Sequence, residues 1–560
     1  MNFYNEVLDV LKSDERFFSD DGQLLRNAVY EAAMQMDAKL IKALYANEET
    51  RKHFFTDVDG IAVFDKVGFG WVINNREFLP DSYTRYKNKI GLVNNKGEYI
   101  SASNDVELVF PYKDCVLEGG QTKEDQKRSE IFYNETLAPD EVDRLLYPKV
   151  FTNAKRYTVD GVQSIANISE NDNLIIKGNN LLAISSLLKV YEGKINLIYI
   201  DPPYNTGNDE FRYNDSFNHS SWLTFVKNRL ELAKKLLAPN GSIYVQIDAN
   251  ESAYLKVLMD DIFDNNFKSE IIWVLKGASG YKSLTQNYVR GHDSILFYTK
   301  TKDFVYNKQY LPYSEEQLKR FSSVDENGRK YKTITKTRRL YLDEAKGVPL
   351  TDVWDDIASF QTIVNSDEIT GFSTQKPEKL IQRIIECSSN VGDIVLDFHA
   401  GSGTTAATAM KLNRKFITVE QMDYIDDVLI KRLERVIKGD DSGISKNVNW
   451  QGGGSFVYCE LAKLNQNYVD AIGKATTDEE LTKLYGEILE TGFISYKVNP
   501  KDIDVYSDEF INLSIDDKKR LLMELLDKNQ LYVNYCDIDD ETFGISEEDK
   551  AFTKSFYGEV

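Results

Sequence analysis

Histidine and cysteine are scarce in this chain of 560 residues, at four of each. Cys115, Cys387, Cys459 and Cys536 lie far apart, and with so few imidazoles no Cys/His ligand spacing can be assembled. Neither a structural zinc nor a disulfide framework is expected, and no metal site is assigned. No run of eighteen apolar residues occurs, which excludes a membrane-spanning helix by the length such a span needs. The opening segment MNFYNEVLDVLKSDERFF is acidic and helical, with no basic stretch leading into an apolar one. A cytoplasmic protein is expected. Also missing are the phosphate loop GxxxxGK[ST] and the dinucleotide fingerprint GxGxxG, so ATP and dinucleotide binding are the weaker readings of any glycine-rich turn found below.

Positive charge is short as well. There are 68 Lys and Arg against 89 Asp and Glu, for a net charge of −21. Taken whole, that argues against a polyanionic partner, because nucleic-acid binding is driven by cations displacing counterions. The charge is unevenly spread, however. Segment 300–346 carries twelve basic against seven acidic residues, whereas 501–560 carries seven against sixteen. This asymmetry points to one DNA-facing region on an otherwise acidic body. With 42% hydrophobic residues the chain can bury a sizeable core, and its length suggests three or four structural units.

Apolar spacing makes residues 1–50 helical, while 51–150 mix short strands with Gly and Asn turns, so 1–150 is expected to be an accessory region. From about residue 174 the texture changes. LIIKGNNLLAISSLLKVYEG, the strand INLIYI, the helix WLTFVKNRLELAKKLLA and the strand SIYVQID alternate as parallel βαβ units do. A second block repeats the rhythm with helix PEKLIQRIIECSS, strand DIVLDF, a glycine turn, helix TTAATAMKLN and strand KFITVE. The polar, basic and aromatic stretch 300–370 between them reads as an insertion. Fold class is therefore α/β: one domain in two halves, 151–299 and 371–440, interrupted by 300–370 and followed by a separate acidic, mostly helical region at 441–560. No internal repeat is present.

Asp201-Pro202-Pro203-Tyr204 follows INLIYI, at the carboxyl end of a strand, where open α/β sheets place their ligands. This set suits transfer to an aromatic amine, whose lone pair is delocalised and must be drawn toward a tetrahedral state. Asp201 can accept one N–H of the amine, and the next backbone carbonyl, stiffened by two prolines of fixed φ, can accept the other. Tyr204 offers a face for a base taken out of the duplex. A strand-terminal turn would look the same, so the second motif matters. Asp397-Phe398-His399-Ala400-Gly401-Ser402-Gly403-Thr404-Thr405 links DIVLDF to the following helix, the context of a nucleotide-type glycine loop. Gly401 and Gly403 allow close backbone approach. Glu420, 23 residues after Asp397, suits a carboxylate accepting both ribose hydroxyls.

Together these residues resemble the amino-methyltransferases of DNA, in the group where the catalytic motif precedes the cofactor motif and target recognition lies between. More closely, the chain resembles the modification subunit of a type III restriction-modification system. The similarity is carried by LPDSYTRYKNKIGL, ending at Leu92, DCVLEGGQTKED (114–125), DPPYNTG (201–207), IDANE (247–251), STQKPEKL (373–380) and WQGGGSFVYCEL (450–461), and so covers most of the chain. The resemblance implies a Rossmann-like S-adenosylmethionine-dependent fold with permuted motif order, acting on adenine N6 in double-stranded DNA. It further implies a homodimer and an ATP-dependent restriction subunit as partner. By it, Asp201, Pro202, Pro203 and Tyr204 are catalytic. Asp397, His399, Ala400, Gly401, Ser402, Gly403, Thr404 and Glu420 belong to the cofactor site with Gln375, Lys376 and Pro377, and Asn179 is carried over beside them. His399 stands where that family is expected to have Phe or another apolar residue, and is read as packing locally.

Arg329, Lys330, Lys332, Lys336, Arg338 and Arg339, interleaved with Tyr331 and Tyr341, are read as DNA contacts within the insertion. His219 and His292 are read as surface or structural residues, and the Trp222–Lys227 stretch as core. A cytosine-C5 enzyme would need a cysteine after a proline, and none of the four follows one. Asp rather than Ser at position 201 favours adenine N6 over cytosine N4. A standalone amino-methyltransferase without a nuclease partner stays open. Since no phosphate loop exists, DNA translocation is not expected to be intrinsic to this chain.

Overall fold

The computed structural model describes residues 3–19, 24–58, 60–74, 115–118, 131–134, 144–206, 217–276, 286, 288–335, 337–360, 362–363, 365–495 and 505–559. Two compact units divide the chain, Met1–Gly91 and Leu92–Val560. In the first, short helices (Phe3–Leu11, Arg26–Met34, Ala38–Ala46, Glu48–Phe54, Lys66–Asn74) and a hairpin (Phe55–Val58 with Ile61–Phe64) enclose Val7, Val29, Leu44, Phe54 and Phe69. Asp37 accepts from the Leu40 N–H, and Asn47 from Glu49 and Thr50, so polar caps punctuate the helical run.

The second unit is built on one eleven-stranded sheet. Its strands are β1 (Phe151–Thr158), β2 (Gly161–Ser164), β3 (Asn173–Lys177), β4 (Ile195–Ile200), β5 (Leu237–Ile247), β6 (Phe267–Val274), β7 (His292–Thr299), β8 (Val353–Trp354), β9 (Ile394–Asp397), β10 (Lys415–Glu420) and β11 (Phe456–Leu461). They lie in the order β8-β6-β7-β5-β4-β9-β10-β3-β11-β1-β2. The six neighbours from β5 to β11 run parallel. Antiparallel strands flank them, β7 and β6 on one side, β1 and β2 on the other.

Parallel strands are covered on both faces, which is why INLIYI and KFITVE read as nearly unbroken apolar runs. Ile176, Ile198 and Ile200 point to one face and pack against α1 (Asn180–Tyr191), α2 (His219–Leu236) and α3 (Ser252–Ile262) through Leu182, Trp222, Leu230 and Leu258. Their strand neighbours Ile175, Leu197 and Tyr199 point to the other face. There they meet α4 (Glu378–Ser388), α5 (Thr404–Lys411) and α6 (Lys431–Ile437) through Leu380, Ile384, Ala406 and Leu433. The chain leaves β4 through α2 toward β5, and leaves β9 through α5 toward β10, on opposite sides. Between β4 and β9, which are adjacent, the connections therefore diverge and a crevice opens at the strands' carboxyl ends.

Two expected boundaries cut across this body. Strand β11 lies within the stretch expected to be a separate C-terminal region, yet it is an inner strand of the sheet. Phe552 and Phe556, on the helix Glu547–Phe556, share the core with Phe151, and the rings of Phe151 and Phe556 are 4.5 Å apart. Toward the N-terminus the compact unit ends at Gly91, short of residue 150. Segment 300–370 holds a three-stranded antiparallel sheet (Ser323–Val324, Lys330–Thr335, Arg338–Tyr341) and a pair of short strands (Tyr310–Leu311, Val348–Pro349) before rejoining the main sheet at β8. Among the described residues no helix is long and apolar enough to cross a membrane.

Beneath α4, α5 and α6 lies a set of buried charges. Lys411 meets Glu378 at 2.9 Å, and Arg432 meets Glu378 at 3.0 Å and Glu368 at 3.2 Å. Backbone N–H groups complete the carboxylates, Ile444 donating to Glu378 and Glu378 to Glu368. The loop leading into α4 is thereby tied through Glu368 to α6, and the start of α4 through Glu378 to both α5 and α6. Removing one partner leaves uncompensated charge in the interior, so Glu378→Ala is expected to destabilise the protein by about 3–5 kcal/mol. A melting temperature equal to wild type would overturn that account.

Candidate active site

The loops after β4 and β9 face one cleft. Asp201 and Pro203 line it from the first loop. Asp397, His399, Ala400, Gly401, Ser402 and Thr404 line it from the second. Glu420 closes one end, Lys376 reaches in from the loop before α4, and Asn180 joins from the start of α1. Of the residues expected from the sequence, Pro202, Tyr204, Gly403, Gln375, Pro377 and Asn179 are not in this lining. Asn179 instead caps α1, accepting from Leu181 and Leu182 N–H, and its neighbour Asn180 is the one that faces the cleft. Gln375 folds back onto its own loop, accepting from Thr370 and donating to the Glu368 carbonyl at 2.8 Å. Pro377 occupies the cap of α4.

Asp201 stands at the end of β4 with its two oxygens in different situations. Oδ2 accepts from the Lys376 ammonium, while Oδ1 is buried and has no hydrogen-bond partner. Burial pushes this carboxyl above the usual carboxylate range, against the pull of Lys376. The loop itself is held from below. Trp222, fully buried on α2, donates its indole N–H to the Pro203 carbonyl at 2.8 Å, so the stretch read as core also sets the loop's position. Asn205, at φ 59°, donates to Glu251 Oε1 at 2.6 Å, and His219 Nδ1 lies 2.7 Å from the same oxygen. His219 thus has a carboxylate partner 32 residues away, a distance in sequence that no motif reading spans.

Tyr204 is anchored by a chain of buried polar groups from three strands. Its hydroxyl donates to Asp293 at 3.2 Å, Gln246 donates to the same oxygen at 3.0 Å, and Tyr199 donates to Gln246 at 2.7 Å. Arg290 bridges Asp248 (2.5 Å) and Asp293 (2.8 Å). The Tyr204 ring has Lys376 and Arg290 at 5.3 and 5.6 Å from its centre, within cation–π reach. Nothing in the motif's spelling announces Gln246, Arg290 or Asp293, because each is brought in by strand pairing.

In the second loop Gly401 and Gly403 adopt φ of 50° and 74°, where a side chain would be strained, and a Cβ on Gly403 would meet Leu429 at 2.8 Å. Burial pushes the Asp397 carboxyl up to about 7, although the Thr405 hydroxyl (2.6 Å) and His399 N–H (3.0 Å) donate to it. Glu420, also pushed up by burial, accepts from Gly401 and Gln421 N–H at 2.9 Å and from Met422 N–H at 3.0 Å. His399 packs near Phe398 and Phe225, and burial, helped by nearby Arg229, pushes its imidazole down to about 3. It is neutral at physiological pH and serves as an aromatic wall. With Lys376, the one cation of the lining among the described residues, spent on Asp201, the acidic cleft suits a ligand bearing positive charge and hydroxyls rather than a phosphate. S-adenosylmethionine, with its sulfonium, ammonium and ribose, has that character.

Segment 300–346 presents a second, open groove. Lys308, Arg320, Lys332, Arg338 and Lys346 face it with a single carboxylate, Glu344, and with Tyr310 and Tyr313. Three of those cations escaped the sequence reading because they lie outside the 329–339 tract. Arg329 is already paired with Asp343 (2.7 Å) and Glu344 (2.5 Å), so its charge is locally spent. Lys330 and Arg339 are exposed, the latter 4.6 Å from the Tyr331 ring, and Lys336 lies outside the described residues.

Comparison with known proteins bears on both sites. Residues 195–431 match a DNA methylase family, and residues 37–92 match the type III restriction/modification enzyme methylation subunit. The probable type III restriction-modification enzyme HindVI Mod subunit of Haemophilus influenzae is 33% identical over 99% of this chain and 98% of its own length. The type III StyLTI Mod subunit of Salmonella typhimurium is 29% identical over 45% of this chain and 52% of its own. The solved M1.HpyAVI–SAM complex is 22% identical, covers 46% of this chain and 98% of that one, and has a TM-score of 0.31. With 33% identity to a Mod subunit along nearly its whole length, the chain belongs to the methylation subunits of type III restriction-modification enzymes and is an S-adenosylmethionine-dependent DNA methyltransferase.

Proposed function

We propose that the enzyme methylates adenine N6 in a base turned out of the duplex, with Asp201, Pro202, Pro203 and Tyr204 as its catalytic loop. The observation that carries this reading is Asp201 Oδ1, a buried carboxylate oxygen with no hydrogen-bond partner beside the cleft. Such an atom is costly to leave unmet, and an incoming amine N–H satisfies it. The cofactor, when bound, supplies a methyl group already activated on a sulfonium. Asp201 Oδ1 accepts one N–H of the amine and the Pro202 carbonyl the other, drawing the nitrogen lone pair out of the ring. Once the amine nitrogen had taken that methyl, its surplus proton would pass to the Asp201 carboxylate and on to water. Tyr204, its hydroxyl tied to Asp293, gives the base a fixed face to stack on. Asp at position 201, rather than Ser, favours adenine over cytosine N4.

Asp397, His399, Ala400, Gly401, Ser402, Gly403, Thr404 and Glu420 hold the cofactor in this reading, Glu420 through the ribose. The fold is then a methyltransferase domain of permuted motif order carrying a target-recognition insertion at 300–370. The groove that includes Lys332 and Arg338, with Lys330 and Arg339 nearby, contacts DNA phosphates. The enzyme works in the cytoplasm as a homodimer and lends specificity to an ATP-dependent restriction subunit. Light scattering that gave a fully active monomer would refute the dimer.

Asp201→Ala is expected to lower single-turnover methylation by about 10²–10³-fold, equivalent to about 3–4 kcal/mol, while cofactor binding by calorimetry changes far less. Retention of a tenth of wild-type activity would refute the assignment. Reversing Arg338 and Arg339 to Glu is expected to weaken DNA binding and flatten its salt dependence, leaving cofactor binding in the absence of DNA unchanged. Equal losses of DNA and cofactor affinity would instead place those residues in the folding core.

A further inference from the structure

Lys376 stands in a stretch expected to hold the cofactor, and within the cleft its side chain is turned to Asp201. Its ammonium donates to Asp201 Oδ2 and, at 3.1 Å, to the Thr374 carbonyl. Both partners of the ion pair are largely shielded, with side-chain exposures of 11% for Lys376 and 18% for Asp201. From the geometry we infer that Lys376 is a positioning residue for Asp201. By binding Oδ2 it keeps the carboxylate ionised in a desolvated site and turns Oδ1 toward the target amine. This inference rests on the catalytic reading of Asp201 and deepens it.

Three observations favour this role over the alternatives. First, the only oxygen of Asp201 left without a hydrogen bond is the one Lys376 does not touch, so the pair divides the carboxylate into an anchored and an available half. Second, an ammonium facing the cofactor's sulfonium would repel it, whereas one neutralised by Asp201 does not. Third, the backbone at Lys376 is held independently, since its carbonyl accepts from the Thr404 hydroxyl at 3.0 Å, which in turn accepts from Arg432 at 2.8 Å. The side chain is not needed to keep the loop in place.

The groups facing Asp201 set the sign of the pH effect. Lys376 and the Tyr204 hydroxyl favour its ionised form, whereas burial and Asp293 favour the protonated one. Tyr199 and Asp397 also feel its charge. As the carboxylate, Asp201 is the stronger N–H acceptor and can take the proton that the amine sheds, which the protonated acid cannot. Removing Lys376 raises its proton affinity further, so activity must fail at a higher pH than in wild type.

The test is single-turnover methylation of duplex DNA across pH 5.5–9 by Lys376→Met, Lys376→Arg and Asp201→Asn enzymes and by the Lys376→Met/Asp201→Asn double variant, with S-adenosylmethionine binding measured by calorimetry without DNA. Lys376→Met is expected to lose at least tenfold in rate near neutrality and to shift the acid limb upward. Lys376→Arg should restore the limb, and cofactor affinity should change less than threefold. In the Asp201→Asn background, where no carboxylate remains to be held ionised, Lys376→Met should cost less than threefold. An unshifted acid limb, the same loss in both backgrounds, or a loss of cofactor affinity matching the loss of rate would each overturn the inference. If Asp201→Ala remains active the catalytic reading itself fails; if it is dead while Lys376→Met keeps a wild-type profile, only the role of Lys376 fails.

Discussion

Carboxylates withdrawn from water at the ends of neighbouring parallel strands are the constraint around which this site is arranged. Asp201 closes β4 and Asp397 closes β9, and the charge of the first raises the proton affinity of the second. Desolvation raises the proton affinity of both. Each is therefore surrounded by donors that favour its anion: Lys376 for Asp201, the Thr405 hydroxyl and His399 N–H for Asp397. Glu420, one strand further, is met by three backbone N–H groups. The glycines of the second loop belong to the same requirement. Left-handed backbone at Gly401 points its N–H at Glu420, and Gly403 lets α5 begin against Leu429 without a side chain between.

Anchoring of the first loop follows a different logic, because the Asp201–Tyr204 motif ends in an aromatic ring rather than a charge. A partly buried tyrosine ring is held in one orientation more firmly when its hydroxyl has a fixed partner. Here Tyr199, Gln246 and Asp293 form a buried run of hydrogen bonds across β4, β5 and β7 that ends on the Tyr204 hydroxyl. Arg290 adds a counter-charge 2.8 Å from Asp293. The antiparallel flank of the sheet, remote from both motifs in sequence, thus has a direct part in fixing the Tyr204 hydroxyl.

Much of this was legible before any coordinates. The βαβ rhythm, the insertion between two halves of one domain and the two strand-terminal motifs all rest on local signals, apolar periodicity and turn residues, and β4, α2, β9, α5 and β10 lie where those signals put them. Long-range pairings were not readable. FVYCEL carries no flanking helix–strand alternation, so nothing local reveals that β11 lies beside β3 in the sheet. The pairing of Lys376 with Asp201 joins residues 175 positions apart, and that of His219 with Glu251 depends on how α2 and α3 pack. Likewise the shielding of Arg329 by Asp343 and Glu344 appears only when the strands Lys330–Thr335 and Arg338–Tyr341 fold back on each other.

A chain of net charge −21 that acts on DNA must solve an orientation problem, and its charge distribution does so. Exposed like charges separated from the duplex by more than about 10 Å are largely screened at physiological salt, so the acidic surface repels DNA only where it comes close. The groove lined by Lys308, Arg320, Lys332, Arg338 and Lys346 faces a single carboxylate and so presents the opposite sign. Repulsion elsewhere penalises misdocked encounters, while attraction at the groove rewards one orientation, which is how complementary fields raise the productive fraction of collisions. Overall acidity is therefore no argument against a nucleic-acid substrate here. It sharpens the contrast between the basic groove and the rest of the surface, and the cleft, itself acidic, suits a cationic cofactor.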